Sequence, residues 1–175
     1  MENSTHVCCV KGHSPENLPF GGKESIIDVY KIKIALYQEI DKAIDNGYTC
    51  FMNDACRGVN FWATQYILQK RKRNPNIQLK LVVNCDEPIE TWCCNDLQTY
   101  NSILLHANGI PRFGCEYTHD FMQIKHIYMI NKSSLLLAVW NGQASNTKNC
   151  IDFAKHKGIK TTVINIEEKG YRLSF

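Results

Sequence analysis

Apolar positions along this chain repeat at two different spacings, and the spacings alternate. Short, nearly continuous apolar runs fall at 6–10, 48–52, 77–83, 135–140 and 161–166, each bounded by turn-forming residues. Such runs predict buried strands. Between them lie longer stretches with apolar residues every three or four positions. Over 24–46 these are Ile26, Ile27, Tyr30, Ile34, Tyr37, Ile40 and Ile44, with Asn46-Gly47 as a stop. Over 59–71 the predicted buried stripe is Val59, Trp62, Ala63, Tyr66 and Ile67, ended by Asn74-Pro75-Asn76. Further helices are predicted within 91–106, at 120–130 through Phe121, Ile124, Ile127 and Tyr128, and at 147–157 before Gly158. A short strand at 112–115 completes the pattern, and the end of the chain, from about 168, is read as a tail.

Strand and helix alternate throughout, which is the signature of a mainly parallel sheet covered on both faces. The expected fold is an α/β, Rossmann-like three-layer α/β/α sandwich, with 1–175 as a single domain. The length of 175 residues is enough for one substantial core. A formal charge of +3 is too small to imply a nucleic-acid partner. The basic run Lys70-Arg71-Lys72-Arg73 closes a predicted helix, where cations complement the helix dipole. No apolar stretch approaches the roughly 20 residues that span a bilayer, so no membrane partner is expected. There are nine cysteines, an odd number. Several lie in apolar runs (Cys8, Cys9, Cys50, Cys85), and Met1 to Thr5 does not resemble a signal peptide. Buried free thiols in a reducing cytoplasm are expected. No C-x-x-C occurs, and the adjacent pairs Cys8-Cys9 and Cys93-Cys94 would point apart within one element, so no metal and no cofactor is expected.

Chemistry is expected at the carboxyl ends of the strands, where loops of a parallel sheet converge. Three strand-to-helix junctions stand out: Gly12-His13-Ser14; Asn53 to Gly58 with Asn60 in the following turn; and Trp140-Asn141-Gly142 continuing to Ser145-Asn146-Thr147. Gly12, Gly58 and Gly142 allow close backbone approach to a ligand. Ser145, Asn146 and Thr147 put donors beside helix N–H groups, and Arg57 offers a cationic fork. Taken singly, small polar residues at helix starts are most often caps; it is their joint placement that points to a site. Trp140 is either core or a surface on which a base stacks. His126 on a helix face is read as packing or surface, and neither His119 nor Cys115 has spacing that demands a nucleophilic pair. The chain has no G-x-G-x-x-G after its first strand, no phosphate-binding G-x-x-x-x-G-K-[ST], and no G-x-S-x-G elbow.

The motif residues resemble one family. Phe51 to Ala63 (FMNDACRGVNFWA), Lys11-Gly12-His13-Ser14-Pro15, Met122 to Asn131 (MQIKHIYMIN), and Ala138-Val139-Trp140-Asn141-Gly142 followed by Thr147 and by Phe153 to Gly158 are similar, in order and spacing, to the blocks of the YpsA-like group. That group belongs to the SLOG superfamily, named for Smf/DprA and the Lonely Guy enzymes. The chain departs from the group's pattern at functional positions. Asp54 stands where the group has Gly, and Asn60 where it has an acid. Ser145-Asn146 replaces a Gly-Gly pair, and Ser14 an Arg.

In the Lonely Guy branch the resemblance implies a phosphoribohydrolase that releases a base from a nucleoside monophosphate, using an acid and an arginine. A neutral Asn60 cannot serve as a general base. Asp54 is the candidate substitute, although a carboxylate there would repel phosphate. The leading expectation is therefore a cytoplasmic binder of a nucleotide-derived small molecule, of ADP-ribose or cyclic-nucleotide type. It would act without turnover as a sensor or sequestering protein, in bacterial defence or viral counter-defence. The alternative is the phosphoribohydrolase, with Asp54 as its catalytic residue. The resemblance also implies a homo-oligomer.

Overall fold

The computed structural model describes residues 6–23, 26–84, 89–113, 119–167 and 170–174. Eight strands are placed, β1 (Val7–Gly12), β2 (Cys50–Asn53), β3 (Gln78–Leu81), β4 (Val83–Asn84), β5 (Arg112–Phe113), β6 (Leu135–Trp140), β7 (Lys160–Glu167) and β8 (Gly170–Ser174). Five α-helices alternate with them, α1 (Ile27–Asp45), α2 (Val59–Arg71), α3 (Cys94–His106), α4 (His119–Asn131) and α5 (Asn146–His156). The main sheet has six strands in the order β3-β2-β1-β6-β7-β8. Its first five are parallel and β8 runs antiparallel to β7. The expected α/β sandwich is therefore what the chain forms, with one added strand. The segment read as a C-terminal tail is that sixth strand over Gly170–Ser174.

Side-chain alternation along the strands sends residues to two separate cores. Cys8, Val10, Phe51, Leu135, Leu137 and Val139 pack with α1, α2 and α3 residues such as Leu36, Trp62 and Ile103. Cys9, Met52, Leu136 and Ala138 face the other way, onto Met129 and Ile130 of α4 and Cys150 and Ile151 of α5. Lys11 continues the odd-numbered face of β1 and so points toward α4 and α5, buried at 5 % exposure.

A further sequence expectation is corrected. The run at 77–83 is not one strand. After Leu81 it leaves the main sheet, and Val83–Asn84 pairs with Arg112–Phe113 in a separate parallel two-stranded ribbon. The expected strand at 112–115 is confirmed only over Arg112–Phe113, its remainder lying outside the described residues. Of the apolar positions that mark α1, Ile40 is buried and Tyr37 and Ile44 pack against the core. The helix buries Val29, Ile32, Ala35, Leu36, Ile40 and Ala43, whereas Ile27, Tyr30 and Ile34 are exposed. Among the described residues no helix is long and apolar enough to cross a membrane.

Candidate functional site

β2, β1 and β6 are adjacent and parallel, so the loops that follow them leave the sheet side by side. The three loops lock onto one another. His13 is buried, its Nε2 accepts the Asn141 backbone N–H (3.1 Å), and its carbonyl accepts the Val59 N–H (3.2 Å). Burial pushes the His13 imidazole pKa down, and the accepted hydrogen bond requires an unprotonated Nε2. Asn141 also donates from Nδ2 to the Asn17 carbonyl (3.3 Å) and accepts the Gln143 N–H at Oδ1 (3.0 Å).

Two of the three glycines serve this packing. A Cβ on Gly12 would lie 2.4 Å from the Val59 side chain, and one on Gly58 would lie 2.6 Å from the His13 carbonyl oxygen. Only Gly142 opens onto free space. Ser14 accepts a weak bond from Asn17 Nδ2 at 3.4 Å.

Asn53 is buried and fully used. It donates to Thr64 Oγ1 (2.7 Å) and accepts the Ala55 N–H (2.9 Å), a turn that holds Ala55 at φ 55°. Arg57 is also committed, its guanidinium reaching Glu16 (2.5 Å) and Asp96 (3.4 Å) and lying 5.6 Å from the Trp92 ring. Arg57 and Gly58 border a cavity of about 180 Å³ at the starts of α2 and α3.

Asp54 is the centre of a buried ionic cluster. Its Oδ2 contacts Lys11 Nζ directly, with Lys125 Nζ at 3.9 Å and His126 Nε2 at 3.4 Å. Its Oδ1 accepts from Asn60 Nδ2 (2.5 Å) and from the Cys56 N–H (3.3 Å). Asp54, Asn60 and Lys125 are each 0 % exposed. Burial alone would raise the Asp54 carboxyl pKa. The charges of Lys11 and Lys125 and the His126 contact outweigh it and hold that pKa well below the ordinary carboxylate range. Conversely, burial and the nearby Lys11 push His126 down to about 4, so its ring is neutral near pH 7. Asn60 Oδ1 has no partner among the described residues.

Sequence reasoning missed three members of this cluster. Lys11 and Lys125 stand inside motifs with nothing local to single them out, and the spacing of His126 on its helix points only to packing or surface. A lysine directly after the four-residue apolar run Val7 to Val10 was the available signal.

Beside the cluster lies a chamber of about 350 Å³ between α4 and α5. His126 joins the two, since it contacts Asp54 and also lines the chamber. Of the residues named from sequence, Asn146 lines this chamber. Ser145 caps α5, its Oγ accepting the Lys148 N–H (3.2 Å), and Thr147 is buried. Trp140 is half-buried, donates from Nε1 to the Gln143 carbonyl (2.7 Å), and has Lys148 Nζ 5.7 Å from its ring centre. Among the described residues no group of three or more His, Cys, Asp or Glu side chains is placed to hold a metal ion.

Comparison with known proteins agrees with this arrangement of motifs. The sequence model of the YspA SLOG family (YpsA) matches residues 8–168. A UPF0398 protein of Bacillus cereus (strain ATCC 14579) is 26% identical over 156 residues, which cover 87% of this chain and 84% of the relative. A UPF0398 protein of Bacillus thuringiensis (strain Al Hakam) matches at the same identity and coverage. With a match that spans most of its length, the chain belongs to the YpsA family of SLOG proteins.

Proposed function

We propose that this protein binds a nucleotide-derived small molecule, of ADP-ribose or cyclic-nucleotide type, and holds it without turnover in a sensing or sequestering role. Membership of the SLOG family suggests a nucleotide-related function. The observation that carries the absence of turnover is the state of Asp54. It is the carboxylate that the three loops offer for chemistry, and it is completely buried and engaged at both oxygens. A carboxyl held well below its ordinary pKa is a poor proton acceptor near pH 7, and a buried one cannot reach a glycosidic bond. The cluster also answers the objection that a carboxylate repels phosphate. The negative charge of Asp54 is matched on the spot by Lys11, so it is not presented to a ligand.

The test incubates the protein with AMP, ADP-ribose and cyclic nucleotides, following melting temperature and free base in parallel. The expected result is a rise in melting temperature with at least one compound and no base released at high protein concentration. Base release abolished by Asp54→Asn in a still-folded protein would establish the phosphoribohydrolase instead.

A further inference from the structure

The α4–α5 chamber has a lining that distinguishes between the two halves of a nucleotide. One wall is α4, with Ile127 and Ile130, and the other is α5, with Asn146, Asn149 and Phe153. Asn146, Asn149 and Phe153 are spaced i, i+3 and i+7, so they share one face of α5. The Phe153 ring is steadied by Lys157, whose Nζ lies 5.6 Å from its centre. Hydrophobic walls with a few polar side chains at one end are the usual make-up of a site for a flat heterocycle.

Among the described residues of this lining, no side chain is formally charged near pH 7. The two titratable members are His126, held down to about 4, and Cys150, pushed up to about 11 by burial. Lys11 and Asp54 lie behind His126 and outside the lining. A phosphate placed here would lose its hydration against described lining side chains that carry no charge to pair with it, Lys157 standing over the Phe153 ring and outside the lining. An uncharged ring would lose little and gain the apolar walls.

The polar groups carry more detail. Asn146 and Asn149 each present an amide donor and acceptor together, the pairing that reads the edge of an adenine. His126 directs Nε2 to Asp54, a carboxylate that can only accept, so Nε2 carries the proton and Nδ1 is left as an acceptor. That acceptor suits a base with an exocyclic amino group.

We propose that the chamber between α4 and α5 is a nucleobase subsite that takes an amino-bearing base such as adenine, with the anionic part of the ligand remaining outside at the start of α5. Gly142 lies in the loop that precedes α5 and has no atom within 4 Å of an added Cβ, so the loop itself leaves space beside it. This rests on the nucleotide-binding reading above and assigns the ligand's orientation within it.

Calorimetric titration with adenosine, AMP and ribose 5-phosphate tests the inference on the wild-type protein and on Ile127→Trp and Asn149→Ala. Ile127 and Asn149 are exposed, so both variants are expected to fold, and an unchanged melting temperature verifies it. Adenosine is expected to bind within about tenfold of AMP, and ribose 5-phosphate at least about a hundredfold more weakly. Ile127→Trp, which fills the mouth, should weaken adenosine and AMP alike by at least about tenfold, and Asn149→Ala by a similar factor. Ribose 5-phosphate binding as tightly as AMP, or AMP affinity untouched in both variants, overturns the base subsite while leaving nucleotide binding intact. Failure of AMP, ADP-ribose and cyclic nucleotides to bind at all overturns both.

Discussion

At the residue scale, the informative exchange is between positions 54 and 60. The family resemblance leads one to expect a glycine and then an acid, whereas here the acid comes first and an amide second. In the structure these two side chains touch, so the carboxylate has moved across a single hydrogen bond. Removing it strands buried lysine charge, and Asp54→Asn is expected to destabilise the fold by about 3–5 kcal/mol in denaturant melts. Adding Asn60→Asp to that variant returns a carboxylate to the neighbouring position. A double-mutant cycle should then show about 1 kcal/mol or more of the loss recovered. Additive losses would show that position 60 cannot serve the lysines. None of this pairing was legible in the sequence, because Lys11, Asp54 and Lys125 come from three distant segments. In the sequence Lys11 and Lys125 stand only inside motifs, and Asp54 is a candidate site residue whose partners are out of view.

At the scale of elements, boundaries were easier to read than faces. Helix α2 begins and ends where its apolar stripe and the following Asn-Pro-Asn turn predict, and β6 coincides with its apolar run. In α1 the apolar residues occupy more than one face, and spacing alone does not say which one packs. The sheet takes the side on which Ala35 and Ala43 allow close approach, with Val29, Ile32, Leu36 and Ile40 filling the core. The distinction is measurable. Ile27→Ser and Ile34→Ser are each expected to change stability by no more than about 0.5 kcal/mol. Leu36→Ala, at 0 % exposure, should lower it by about 2–5 kcal/mol. The three junction loops were legible as a group because adjacent parallel strands must release their loops together. Their use was less so: Gly12 and Gly58 make room for protein atoms, and the Arg57 fork is already held by two carboxylates.

At the scale of the whole molecule, the buried titratable groups bound the pH range of stability. His126 in the folded state binds its proton near pH 4 in place of the ordinary 6.5. Between those values the unfolded chain carries the extra proton, so stability falls on acidification through that window, by an amount on the order of 3 kcal/mol. His13 is lowered in the same direction, and Asp54, also depressed, adds a further loss at still lower pH. On the alkaline side Cys150 is raised from 9.0 to about 11, so stability declines as the unfolded thiol ionises first. Melting temperature plotted against pH should therefore be highest between about 6.5 and 9. A maximum below pH 5 would contradict the arrangement of buried charge.

The final strand has a consequence of a different kind. β7 runs for eight residues, and β8 occupies its outer hydrogen-bonding edge from Glu167 back to Val163. Without β8, the backbone N–H and C=O groups along that stretch would be open to pairing with any extended chain. Truncation after Glu167 is therefore expected to leave the parallel core able to form while light scattering rises with protein concentration. In that role the last residues of the chain act as a guard, keeping the growing side of the sheet from recruiting strands of other molecules.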